Sequence, residues 1–82
     1  MNRVSFSKEA KADIRAIEQR QAPTILKAIA RLSKTGAGDI KKLEGDKEER
    51  YRLRVGDWRV FFRFGKDSSV FVAGVENRKD AY

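Results

Sequence analysis

One stretch constrains this chain more than any other: Tyr51-Arg52-Leu53-Arg54-Val55-Gly56-Asp57-Trp58-Arg59-Val60-Phe61-Phe62-Arg63-Phe64. On either side of Gly56-Asp57 it is rich in aromatic and β-branched residues that alternate with arginine, the period of a strand with two unlike faces. Glycine at the first central position suits a type II′ turn, a common two-residue hairpin connection. Such a turn sets the register. Val55 then faces Trp58, Arg54 faces Arg59, Leu53 faces Val60, Arg52 faces Phe61, Tyr51 faces Phe62 and Arg50 faces Arg63. Cross-strand partners share a sheet face. One face carries Tyr51, Leu53, Val55, Trp58, Val60 and Phe62, and the other carries Arg50, Arg52, Arg54, Arg59, Phe61 and Arg63. The apolar face needs cover. The arginine face sets like charges directly opposite each other, which is destabilising and is explained by an anionic ligand. The alternative is a solvated charged surface paired with Asp57, Glu76 or the acidic residues Glu44, Asp46, Glu48 and Glu49. Arginine rather than lysine favours the ligand, because its planar fork matches phosphate. Phe61 on a wet face would give a base something to stack on.

The cover comes from the N-terminal half. Val4 and Phe6 alternate with Arg3 and Ser5 as a short strand. Ser7 offers a helix N-cap, and Ala10, Ile14 and Ile17 mark one face of the helix that follows. Pro23 suits the first turn of a second helix, with Ile25, Leu26, Ile29 and Leu32 as its apolar stripe and Gly36 and Gly38 at its end. Two helices so closely joined should form a helical hairpin. Residues 36–49 read as a long polar loop pinned by Ile40 and Leu43, and Val70 to Val75 as a last strand after a turn at Gly65-Lys66-Asp67-Ser68. The expected fold is therefore α+β in the order βααβββ, with the helical hairpin on one face of a small antiparallel-rich sheet.

At 82 residues the chain makes one domain, 1–82. Lys plus Arg is 19 against 12 Asp plus Glu, a net charge of +7, so a polyanion or an acidic protein is the expected partner. There is no histidine and no cysteine. That removes the usual general base, thiol nucleophiles, disulfides and zinc–thiolate sites, and neither a cofactor nor a metal is expected. No apolar run is long enough to span a membrane, and Met1-Asn2-Arg3-Val4-Ser5-Phe6 lacks the apolar core of a signal peptide. A cytoplasmic protein is expected.

The run Tyr51 to Phe62 resembles the sheet signature of the RelE/ParE toxin superfamily. The ending Val75-Glu76-Asn77-Arg78-Lys79-Asp80-Ala81-Tyr82 resembles that family's closing motif, a basic residue shortly before a tyrosine, and Val4-Ser5-Phe6-Ser7-Lys8-Glu9-Ala10 fits its opening. The resemblance implies a RelE-like fold and the toxin of a bacterial type II toxin–antitoxin pair. RelE-like members enter the ribosomal A site and cut mRNA by attack of the 2′-OH on the adjacent phosphate, which inhibits translation. By this resemblance Arg52 and Arg54 match the basic residues of the hairpin's first strand, and Arg59 the arginine that steadies the transition state. Arg78 matches the basic residue before the tyrosine, and Tyr82 the tyrosine that stacks on a base or helps activate the 2′-OH. Arg50, Phe61, Arg63 and Lys79 are expected to contact RNA.

The implied partners are the ribosome, mRNA and a cognate acidic antitoxin that wraps the toxin, the free toxin being monomeric and the complex of higher order. Clustered arginines can stabilise a phosphorane by fixed charge, but arginine is a poor proton carrier. The base and acid remain open among Tyr82, Glu48, Glu49 and Glu76. Two other functions share these features. One is the ParE-like branch, which has this fold and poisons DNA gyrase; the other is a noncatalytic nucleic-acid-binding module.

Overall fold

A computed structural model describes residues 3–17, 21–43, 49–65 and 69–77. The elements are β1 (Val4–Phe6), α1 (Lys8–Ala16), α2 (Ala22–Thr35), β2 (Asp39–Lys42), β3 (Tyr51–Val55), β4 (Trp58–Phe64) and β5 (Val70–Asn77). They build a five-stranded sheet in the order β1-β5-β4-β3-β2. β1 runs parallel to β5, and every other pair is antiparallel. The helices cover one face, α1 over β5 and β1, and α2 reaching towards β1 and β3. The α+β class and the single helix-covered face are as the patterning requires.

Local chemistry explains each helix. Ser7 caps α1 by accepting from the Ala10 N–H at 3.0 Å, while its hydroxyl donates to the Ala73 carbonyl at 2.7 Å. One side chain thus starts the helix and ties it to β5. Pro23 lies in the first turn of α2, and Gly36 closes the helix with its N–H on the Leu32 carbonyl at 2.8 Å. The start of α2 is joined to the β3–β4 turn by the Trp58 indole N–H, which donates to Gln21 Oε1 at 2.9 Å. Ile25, Ile29 and Leu32 are buried as expected, but Leu26 is 41% exposed and leaves the stripe. It is adjacent to Ile25, so its side chain is turned about 100° away around the helix.

The core is Ala10, Ile17, Ile25, Ile29, Leu32, Leu53, Val60, Phe62, Val70, Val72 and Val75. Val4 and Phe6 pack against its margin from β1. No helix among the described residues is long and apolar enough to cross a membrane.

The hairpin register is the expected one from Val55↔Trp58 to Tyr51↔Phe62. Gly56 has φ +58 and Asp57 is not among the residues with positive φ, as a type II′ turn demands. The ladder stops before Arg50, whose carbonyl instead accepts from the Leu43 N–H at 3.0 Å, so the expected Arg50/Arg63 opposition is not a ladder pair.

Residues 36–49 are not all loop. Asp39–Lys42 forms β2 on the far side of β3, which adds a strand to the expected order. Its residues Asp-Ile-Lys-Lys carry almost no strand signal of their own; they are held by the backbone of β3 and by Ile40, which packs on the core. Gly38 makes the approach possible. A Cβ there would lie 2.7 Å from Leu53 Cδ1, and its φ of +153 disfavours any other residue. β5 runs two residues beyond the expected end, to Asn77, and contains a bulge: Phe61 pairs with Gly74 but Phe62 pairs with Val72, which leaves Ala73 as the extra residue.

Candidate functional site

The face opposite the helices is covered by no described element, and the register states what stands on it. Across the four strands β2 to β5 the first row reads Asp39, Arg54, Arg59 and Glu76. The second reads Lys41, Arg52, Phe61 and Gly74. The third joins Arg63 of β4 to Phe71 of β5 and Ser5 of β1. The alternation of β3 and β4 thus places Arg52, Arg54, Arg59, Phe61 and Arg63 on one surface, as the sequence requires.

The environments differ within this surface. Arg54 and Arg63 are exposed, while Arg52, Arg59 and Phe61 are half-buried. Arg52 Nη2 lies 3.9 Å from Asp39 Oδ1, with side chains 22% and 64% exposed respectively. A contact that long, with one partner so exposed, is worth little. Arg52 Nε is buried and has no hydrogen-bond partner among the described residues. A buried, unsatisfied donor on a cation carries a desolvation cost that an anion at the surface would offset. Arg63 covers the Phe71 ring, its guanidinium carbon 4.9 Å from the ring centroid, within the range of a cation–π contact.

Several residues were not in the sequence expectation for this face. Lys41 and Asp39 arrive with the strand β2, and Phe71 arrives through the bulged β4–β5 register. Glu76, an ion partner or base by its sequence alone, stands in register with Arg59. The signal for Phe71 is the alternation of β5 itself, in which Val70 and Val72 are buried and Phe71 is not. Arg78, Lys79 and Tyr82 lie outside the described residues, as do Glu44, Asp46 and Glu48.

A separate cleft of about 480 Å³ opens on the helix side at the ends of β4 and β5, lined by Asp13, Ile17, Trp58, Val75 and Glu76 among others. The Asp13 carboxylate is committed there, accepting from the Val75 N–H at 3.0 Å just after the bulge.

Two helices on one face of a five-stranded mixed sheet, with an arginine-bearing hairpin on the other face, define a RelE-like toxin fold. Solved structures agree. The RelE–RelB complex of the archaeon Pyrococcus horikoshii OT3 contains a chain that is 24% identical and superposes with a TM-score of 0.77 over 94% of each chain. The toxin–antitoxin complex RelBE2 of Mycobacterium tuberculosis gives 21% identity and a TM-score of 0.78 over 94% of this chain and 98% of that one. The RelBE complex of E. coli gives 18% identity and 0.73, over 94% and 96%. A comparison with curated protein sequences finds no significant match. The sequence model described as "ParE toxin of type II toxin-antitoxin system, parDE" matches residues 4–82. The chain belongs to this family of type II toxins, within the RelE/ParE superfamily.

Proposed function

We propose that this toxin is a ribosome-dependent, metal-independent endoribonuclease that cuts mRNA in the A site and so arrests translation. The observation that carries the reading is the convergence of Arg52, Arg54 and Arg59 on one face that no described element covers, with Arg52 Nε buried and without a hydrogen-bond partner among the described residues. Cleavage would proceed by attack of a ribose 2′-oxygen on the adjacent phosphorus. A P–O bond forms to the 2′-oxygen and the P–O bond to the 5′-oxygen breaks, which leaves a 2′,3′-cyclic phosphate and a 5′-hydroxyl. The 2′-OH proton leaves to a base, and the 5′-oxygen takes up a proton. Arg59 would bind the phosphorane oxygens, and Arg52 and Arg54 would neutralise its charge and align the chain. Arg78 and Tyr82 complete the proposed catalytic set, and Arg50, Phe61, Arg63 and Lys79 would bind the RNA on either side. The partner that silences the toxin would be a cognate antitoxin, like those in the complexes of the similar structures, and the net charge of +7 favours an acidic one.

A second reading has its own support: the family model that matches is that of ParE, whose resemblance implies inhibition of DNA gyrase. One experiment separates them. The purified toxin is added to a cell-free translation reaction and mRNA ends are mapped by primer extension, with a gyrase supercoiling assay run beside it. New mRNA ends that require ribosomes support the nuclease. Intact mRNA with lost supercoiling supports the gyrase inhibitor.

A further inference from the structure

The third row of the open face has no part in the phosphate chemistry of Arg52, Arg54 and Arg59. Arg63 is exposed, and its guanidinium lies over the half-buried ring of Phe71 on the neighbouring strand. An aromatic residue at position 71 is not needed for the core, which Val70 and Val72 enter from either side of it. Phe61 stands between this pair and the arginine row, and β5 offers it only Ala73 and Gly74 as neighbours across the strand. No bulky side chain of β5 therefore competes for the space beside the Phe61 ring. The register thus sets Phe61 next to the stacked Arg63–Phe71 pair on one face, with Arg52 and Arg59 beside Phe61. Unpaired nucleobases are held on such surfaces, by stacking on aromatic rings and on arginine planes.

Spacing says which base. Arg63 is four residues along β4 from Arg59, roughly 13 Å at the usual strand rise of about 3.3 Å. Stacked bases are separated by about 3.4 Å along a strand. At that spacing a base on Arg63 and Phe71 belongs to a nucleotide about four positions along a stacked strand, not to the one whose phosphate meets Arg59.

We propose that Phe61 and the Arg63–Phe71 pair form a nucleobase-stacking subsite for single-stranded RNA, which sets the position of the message relative to Arg59. The inference rests on the nuclease reading for its substrate, but stacking can be measured without cleavage. The probe is a short single-stranded RNA with 2′-O-methyl riboses, which cannot be cut, carrying 2-aminopurine at one position in turn. Stacking quenches its fluorescence. The full-length toxin should quench one or two adjacent positions. Phe71→Leu should abolish the quench there and weaken binding about tenfold, and Phe71→Tyr should restore both. Arg63→Gln, at an exposed position that the core does not need, should lose part of the quench. In a translation reaction Phe71→Leu should redistribute the cut sites.

Binding and quench unchanged in both Phe71→Leu and Arg63→Gln would overturn the subsite. Weakened antitoxin binding with unchanged RNA binding in these variants would overturn it too, since the pair would then serve a protein. If the wild type quenches the probe through Phe71 yet cuts no message, the subsite stands and the nuclease reading falls. If the wild type cuts and the variants cut the same sites at the same rate without altered quench, the reading stands and the subsite falls.

Discussion

Arg54 and Arg59 face each other across the β3–β4 ladder, and the next residue outward on each side is an acid, Asp39 beside Arg54 and Glu76 beside Arg59. The row alternates as acid, base, base, acid over four strands. Opposed arginines alone would cost stability. Carboxylates at both ends offset part of that cost without any ligand, at the modest strength of surface charge pairs. The opposed charges are therefore weaker support for a bound anion than the hairpin alone implies. The half-buried Arg52, whose Nε finds no partner among the described residues, is the stronger support.

Replacing Arg59 tests the chemistry. Arg59→Ala should lower the rate of mRNA cleavage by about 10²–10³-fold, the usual cost of removing one donor to a developing oxyanion. Primer extension of a reporter message measures it, with a thermal melt to show that the variant folds. Unaltered cleavage by a folded Arg59→Ala protein refutes the role given to this arginine.

The acids at the ends of the row should act against RNA binding. Asp39→Asn and Glu76→Gln should each tighten binding of single-stranded RNA by a few-fold and lower stability by less than about 1 kcal/mol. Adding Arg54→Gln to Asp39→Asn should restore the stability, because the repulsion that the acid offset is then gone. Titration calorimetry and thermal melts of the two single variants and the double variant check both signs.

Salt should report the phosphate contacts directly. For single-stranded nucleic acid the logarithm of the binding constant falls with the logarithm of salt concentration by about 0.7 per phosphate neutralised. Arg52→Gln and Arg54→Gln should each flatten that slope by about this amount. A slope unaltered in both variants means that these side chains do not touch phosphate.

Two glycines should respond in different degree. At Gly38 an alanine meets Leu53 Cδ1 at 2.7 Å and inherits a φ of +153, so Gly38→Ala should cost about 1–3 kcal/mol and loosen β2. At Gly56 the φ is +58 and nothing lies within 4 Å, so Gly56→Ala should cost only about 1–2 kcal/mol, the backbone term alone. Denaturant melts give the difference, and amide exchange on β2 should rise in the first variant only.

The hairpin from Tyr51 to Phe62 was legible in the sequence because a two-residue turn leaves no freedom in register and apolar residues alternate with arginine at every position but Phe61; only the Arg50/Arg63 pair beyond it did not form. Helix ends were legible where side chains cap or stop them, as Ser7, Pro23 and Gly36 do. β2 was not, because Asp39, Lys41 and Lys42 have no strand preference and only the edge of β3 makes them extended. Phe71 was missed for a related reason. Alternation with Val70 and Val72 places it on the open face, but its partner Arg63 depends on the β4–β5 register, which the bulge at Ala73 shifts by one residue. No local pattern announces such a shift. Leu26 was overcounted because it stands about 100° around the helix from Ile25, outside the stripe that Ile25, Ile29 and Leu32 bury.

β5 is the strand that β1 and β4 share, and it is made after every other strand of the sheet. Val70, Val72 and Val75 close the core over Phe62, and Glu76 and Phe71 border the arginine face. A nascent chain lacking β5 has nowhere to place β1 and no wall for α1. Contacts between the two ends of a chain form late and slowly. The arginine face is thus bordered by the strand made last: the row that ends in Glu76 is complete only once β5 has paired with β4.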